Sequence, residues 1–324
     1  MIVGQDRAVE QFASAWHRAV LHHAWLLAGP KGVGKAAFAR AAATRVLADA
    51  AGPAVEAPDL VTPDSHRIAK LVEAGSHPDL RRLERLPRDR GEGLARNITV
   101  DQVRSLGDLF EMTPALSPWR AVIIDSLDDL EKSAANALLK MLEEPPPNCL
   151  FLLVSHAPGR LLPTIRSRCR RLDFQTLGDD AMASILVEAL PDLSAADRDR
   201  AIAVAGGSAG KAMWLAQLDL ISLEETALRI LREGDPANRR RSDLALELGK
   251  RGAGERYSAF LELLPSVVAR EARTMEGSPR ERAVEAYART RELVAIAPRL
   301  SLDPASTVFQ LGGILASVAD PQLP

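Results

Sequence analysis

Only two cysteines, Cys149 and Cys169, occur in 324 residues. Two thiols cannot build a disulfide framework, so a cytoplasmic location is the expectation. No apolar run approaches the roughly 18 residues that a membrane-spanning helix needs. The opening residues Met1 to Asp6 hold neither a basic n-region nor an apolar h-region, and nothing in them suggests export. Aromatic residues make up 4% of the chain, so Trp25 and Trp119 are expected to pack rather than to stack on bases. A formal net charge of −2 argues against strong nucleic-acid binding through a global field, and any contact with DNA must be local or shared with partners. The balance of 47% hydrophobic and 26% charged residues is that of an ordinary globular protein long enough for two or three domains.

What is present begins at Trp25. An apolar run (Trp25, Leu26, Leu27, Ala28) meets Gly29-Pro30-Lys31-Gly32-Val33-Gly34-Lys35, and an alanine-rich segment follows. This is the strand, glycine-rich loop and helix start of a phosphate-binding loop. Backbone N–H groups and the helix dipole cradle phosphates there, and Lys35 can reach the terminal ones. The next position requires Ser or Thr to coordinate Mg²⁺; it is Ala36. A second apolar run, 121–125, ends in Asp125, the residue type that holds Mg²⁺ indirectly. The position after it, where a water-activating Glu belongs, is Ser126. Asp128 and Asp129 lie further along and would need another path to a γ-phosphate. Phosphoryl transfer depends on such positioning, so hydrolysis by this chain is not expected.

Strands alternate with helices through the first half, as in a parallel α/β sheet. Helical periodicity marks 5–21, 36–51, 65–74 and 132–144, the last stopped by Pro145-Pro146-Pro147. Strands are expected at 80–86 and 149–155, an exposed turn at 88–93, and an N-cap at Thr99 or Asp101. A short helix over 164–169 follows Pro163. From Leu177 onward the pattern is helical only. Boundaries near 175 and 221 divide the chain into a P-loop domain (1–175), a helical lid (176–221) and an all-helical C-terminal domain (222–324). Arg239-Arg240-Arg241 reads as a solvated helix start.

Several stretches together resemble the delta-prime subunits of the bacterial DNA polymerase III clamp loader, in the clamp-loader branch of the AAA+ superfamily. They are HHAWLLAGPKGVGK (22–35), AGSHPDL (74–80), ITVDQVRSL (98–106), IIDSLDDLEKSAANALLKMLEEPP (123–146) and LLPTIRSRCRRL (161–172). The resemblance is firm over about 1–215 and weaker beyond. It implies an AAA+ α/β module with parallel sheet, helical lid and C-terminal collar, in a five-subunit assembly whose tau/gamma subunits hydrolyse ATP. The partners it implies are the delta and tau/gamma subunits, the sliding clamp (beta) and primed DNA through the assembly, within the DNA polymerase III holoenzyme; no membrane is involved. It casts Arg168, within Ser167-Arg168-Cys169, as a trans arginine finger at a neighbour's ATP site. Ser155 falls at the position resembling sensor 1, and Gly210 where the ATPases carry the sensor 2 arginine, unless Lys211 compensates.

Close relatives carry four zinc-binding cysteines between the P-loop helix and the His-Pro-Asp segment; here the interval 49–76 has none. His66 and His77, with Asp64 and Asp79, match no zinc template and read as surface or loop-capping residues, so no metal is expected. Cys169 is expected to be buried beside the finger rather than reactive. Two other readings stay open. One is an autonomous AAA+ ATPase that tolerates Ala36 and Ser126. The other is a sensor holding ATP or ADP without hydrolysis, on Gly29, Gly32, Gly34 and Lys35.

Overall fold

The computed structural model describes residues 2–57, 59–88 and 94–319; the turn expected at 88–93 falls, from 89 onward, outside them. By contacts the chain forms two compact units. The first comprises Met1–Glu188 with Ala205–Gly210, and the second comprises Ala189–Val204 with Lys211–Pro324.

The first unit runs α1 (Asp6–His17), β1 (Ala24–Ala28), α2 (Lys35–Ala51), α3 (Arg67–Glu73), β2 (Leu80–Leu83), α4 (Val100–Arg104), α5 (Leu106–Glu111), β3 (Arg120–Ile124), α6 (Lys132–Glu143), β4 (Cys149–Ser155), α7 (Pro163–Arg166), β5 (Arg170–Asp173) and α8 (Asp179–Ala189). The five strands pair in parallel in the order β2-β3-β4-β1-β5. The three inner strands β1, β3 and β4 are buried on both faces, and the strand period of two sorts their side chains between them. Trp25, Leu27, Ile123, Leu150, Leu152 and Leu172 face a core shared with α1 and α2. Leu26, Val122, Ile124, Phe151 and Leu153 face the core shared with α4, α5 and α6. Both expected tryptophan roles are structural: Trp25 packs on Phe12 and Trp119 on Trp16, with ring centroids 5.0 and 5.3 Å apart.

Local chemistry sets the element ends. Thr99 caps α4 in a capping box with Gln102, satisfying two otherwise orphaned N–H groups. The strand expected at 80–86 stops at Leu83, and the helix expected over 164–169 is a single turn closed by Arg166.

The interval 49–76, which holds no cysteine, is organised by a buried guanidinium. Arg45, on α2, binds Asp49 through Nε at 2.8 Å and the carbonyls of Val55, Ala57 and Val61 through its two amino groups, each at 2.9 Å. Asp49 also accepts from Trp16 Nε1 and from the Val55 N–H. Nε and both amino groups are thereby engaged, which a buried Arg requires. The histidines of this region are local caps: His66 Nδ1 accepts from the Ile68 N–H at 3.2 Å, and His77 Nδ1 from the Asp79 N–H at 3.1 Å. His77 is buried rather than at the surface.

The second unit is all-helical: α9 (Ala195–Ala205, but for its last residue), α10 (Ala209–Gln217, from Lys211), α11 (Ile221–Glu233), α12 (Arg239–Leu248), α13 (Gly254–Ala272), α14 (Gly277–Leu300) and α15 (Pro304–Ala319). One core of Leu223, Ile230, Leu244, Leu248, Phe260, Leu264, Val267, Leu311 and Leu315, among others, unites α11 to α15. The arginine triplet starts α12 with Arg239 exposed, as expected, but Arg241 departs from the solvated helix start. Arg241 is buried, its guanidinium 4.6 Å from the Phe309 ring centre and packed across Gly312 and Gly313; Arg240 pairs with Glu233 at 2.6 Å. The helix period carries Arg241 inward, where two glycines leave room for its stem. No helix among the described residues is long and apolar enough to cross a membrane.

Candidate nucleotide loop and arginine finger

The C-terminal edge of a parallel sheet collects the loops that carry chemistry in α/β proteins. Here the loop 29–34 leaves β1, Asp125 follows β3, and Ser155 ends β4 between them. Gly29 is required sterically, because a Cβ there would stand 2.2 Å from the Phe174 carbonyl oxygen. Phe174 is tied to the strand end by its own N–H, which donates to Ala28 O at 2.7 Å.

Lys35 folds back over its own loop. It is 3% exposed, and its amine donates to the carbonyl oxygens of Gly29, at 2.6 Å, and of Pro30. Burial pushes that amine down to about 8, against the opposing pull of Asp128 and Asp125. Other groups hold the loop from outside. The Gly210 N–H donates to Gly32 O at 2.9 Å, and Ser208 Oγ to Lys31 O at 3.0 Å. Gln5 Nε2 donates to Val33 O at 3.2 Å and to Gln175 O at 2.8 Å. At Gly210 a Cβ would lie 3.0 Å from Gly32 Cα, so an arginine there could not approach without moving the loop.

The carboxylates divide differently from the sequence expectation. Asp125 faces the edge strand, its Oδ2 3.1 Å from Arg82 Nη2. Asp129 pairs with Arg85 at 3.3 Å. The central acid is Asp128. It accepts from Ser126 Oγ at 2.9 Å, Ser155 Oγ at 3.1 Å, the His156 N–H at 2.6 Å and the Ala157 N–H at 3.1 Å. Burial alone would raise its pKa, but these four donors outweigh it and hold the carboxyl below the usual range. Asp128 therefore fastens the turn after β3 to the end of β4. Ser155, fully buried, gives its hydroxyl proton to this network. His156, whose Nδ1 is buried without a partner, has its pKa lowered by burial and by Lys35, against the pull of Asp128 and Asp125.

The Ser-Arg-Cys triplet lies apart from this cluster, between α7 and β5. Arg168 is partly exposed, with Nη2 2.8 Å from Glu143 Oε1 and Nη1 donating to Thr164 O at 3.0 Å. Ser167 Oγ donates to the same carbonyl at 3.1 Å. Burial pushes the Cys169 thiol up to about 12, which makes it inert as a nucleophile. Cys149, at the start of β4, is likewise pushed up to about 12. Among the described residues no group of three or more His, Cys, Asp or Glu converges as a metal site.

Sequence reasoning missed the parts played by Asp128, Gln5 and Glu143. The Ser126-x-Asp128 spacing is a local signal, since Ser126 accepts the Asp128 N–H at 3.2 Å as a helix-start cap. Gln5 and Glu143 carry no such signal. Their partners are 28 and 25 residues away in sequence or more, and only the fold brings them near.

The family described as DNA polymerase III, delta subunit, matches residues 4–178. The DNA polymerase III subunit delta' of Pseudomonas aeruginosa is 39% identical over 194 residues, 59% of this chain and 55% of that protein. The corresponding protein of Bacillus subtilis is 34% identical over 186 residues, 57% of this chain and 51% of that one. The chain thus matches about half the length of these relatives. A solved structure of a DNA polymerase III gamma subunit-related protein from Thermotoga maritima superposes with a TM-score of 0.50 at 18% identity, over 97% of this chain and 99% of the other, a likeness of fold.

Proposed function

The chain belongs to the DNA polymerase III delta-subunit family, and from that premise we propose that it is the delta-prime-like, non-hydrolysing stator of a clamp loader. In this reading it joins delta and tau/gamma subunits, helps place the sliding clamp on primed DNA during replication, and supplies Arg168 in trans to a neighbour's ATP site. Its division into P-loop module (1–175), lid (176–221) and collar (222–324) belongs to the same proposal.

The observation that carries the reading is Lys35, turned back onto Gly29 O and Pro30 O. Three further features agree. Ala36 offers no hydroxyl for Mg²⁺, Asp125 is engaged by Arg82, and Asp128 has four donors of its own. The donor set does not suit hydrolysis of Mg²⁺-nucleotide. A partly exposed arginine asks for less: charge on a transferring phosphoryl group is stabilised by a guanidinium from the next subunit, worth about 10³–10⁵ in rate.

The test is a reconstituted assembly. Arg168→Ala lowers its clamp- and DNA-stimulated ATPase strongly, whereas Lys35→Ala changes it little. The reverse ranking, or ATP hydrolysis by the isolated chain above a trace rate, would return the chain to the autonomous ATPases. A second reading, nucleotide held without hydrolysis, draws support from α2, whose start at Gly34 has no side-chain cap and so leaves early amides for an anion. Calorimetry with ATP and ADP decides it: no heat at millimolar nucleotide dismisses the sensor.

A further inference from the structure

Glu143 is the last residue of α6, and Glu144 follows it before the proline run. The carbonyl end of a helix carries partial negative charge, so carboxylates are disfavoured there and cations favoured. Two acids at that position break a local rule, and such departures concentrate where a side chain has another role. For Glu143 that role is a contact with the finger, since its Oε1 is 2.8 Å from Arg168 Nη2. The opposite amino group of Arg168 donates to Thr164 O at 3.0 Å. Both amino groups of the guanidinium are therefore held by acceptors of its own chain.

Neither holder sits on a free tip. The last turn of α6 is fixed at the preceding residue, where His23 Nε2 lies 3.2 Å from Leu142 O. The turn bearing Thr164 is anchored by Ile165, buried in the core beneath the sheet. The pair itself is open to solvent, with the Arg168 side chain 34% and the Glu143 side chain 48% exposed. Exposed ion pairs are weak, and carboxylate and phosphate are interchangeable acceptors for a guanidinium fork.

A guanidinium neutralised by a carboxylate delivers little of its charge to a second anion. We propose that Glu143 is the resting counter-ion of Arg168. It holds the finger self-paired until a nucleoside triphosphate bound by the neighbouring subunit exchanges phosphate for carboxylate. The proposal rests on the reading of Arg168 as a trans finger and adds its regulation. Glu143 acts through Arg168 and is a positioning residue.

The experiment uses the complete reconstituted assembly carrying Glu143→Gln, Glu143→Asp, Arg168→Ala, or Glu143→Gln together with Arg168→Ala. ATP hydrolysis is measured with and without clamp and primed DNA. Glu143→Gln is expected to raise the unstimulated rate about two- to five-fold, the scale of one exposed ion pair. It leaves the stimulated maximum nearly unchanged, because the neighbour's nucleotide has by then displaced Glu143. Glu143→Asp keeps the charge and behaves as wild type. In the Arg168→Ala background Glu143→Gln has no effect, and high salt narrows the gap between wild type and Glu143→Gln. An unstimulated rate that is unchanged or lower in Glu143→Gln overturns the counter-ion, as does an equal rise without Arg168. If Arg168→Ala alone matches wild type, it is the finger that fails, and that outcome is separate from the other two.

Discussion

The N–H of Gly210 donates to the carbonyl oxygen of Gly32 at 2.9 Å, with no space between them for a side chain. The start of α10 is thus packed on the glycine-rich loop itself. Gly210→Leu drives a branched side chain against the Gly32 backbone, whose Cα stands only 3.0 Å from a Cβ at this position, and overpacking of this kind costs about 1–3 kcal/mol. Urea unfolding should show that loss. Gly210→Arg should lose at least as much stability and gain no ATP affinity in calorimetry.

Asp128 is a second brace, fastening the turn after β3 to the end of β4. Its carboxyl is held below the usual range by the donors from Ser126, Ser155, His156 and Ala157. A depressed folded pKa contributes stability above the unfolded carboxylate value and loses it as pH falls through the folded one. Asp128→Asn should therefore be less stable than wild type at neutral pH, with the gap shrinking below about pH 4. Chemical denaturation at a series of pH values measures both limbs.

Lys35 has the opposite sign. Its folded pKa of about 8 lies below the ordinary 10.5, so between them the unfolded chain binds the extra proton and stability rises with pH. Above about 9 the two thiols oppose this, since Cys149, buried, and Cys169, half-buried, are raised from 9.0 to about 12 in the folded chain and ionise more readily when unfolded. The Lys35 contribution is therefore cleanest between pH 8 and 9, with a slope of at most about 1.4 kcal/mol per pH unit. Lys35→Met should lose that slope. A wild-type profile no steeper than the variant's contradicts the assignment.

Arg45 predicts the largest loss. Removing its guanidinium strands the Asp49 carboxylate and the carbonyls of Val55, Ala57 and Val61. Breaking one side of a buried ion pair costs about 3–5 kcal/mol. Arg45→Met should lower the unfolding midpoint accordingly and open the 52–63 loop to proteolysis. Added zinc should not restore it.

Local signals carried much of this protein. The strand-loop-helix at 25–51, the continuous apolar runs of β3 and β4, and the proline stop after α6 are short-range patterns, and each formed where the sequence placed it. The identities of Ala36 and Ser126 at fixed offsets from the glycine-rich loop and from β3 are legible in the sequence alone. Arg241 shows the limit of this kind of reading. Its charge suggested solvent, yet helix phase and the opposing Gly312 and Gly313 put it inside.

What the tertiary structure decided was where the remaining polar groups find their partners. Asp125 turned to Arg82 on the edge strand, Asp128 to the end of β4, Lys35 back to its own loop, and Arg168 to Glu143. A buried or half-buried charge settles on whichever donor or acceptor the fold delivers to it. Those neighbours come from strands and helices paired across the sheet, often distant in sequence. The sequence by itself determined which chemical groups stand at each fixed offset of the loop and strand ends, since those are set by residue identity. Only the packing decided what those groups do.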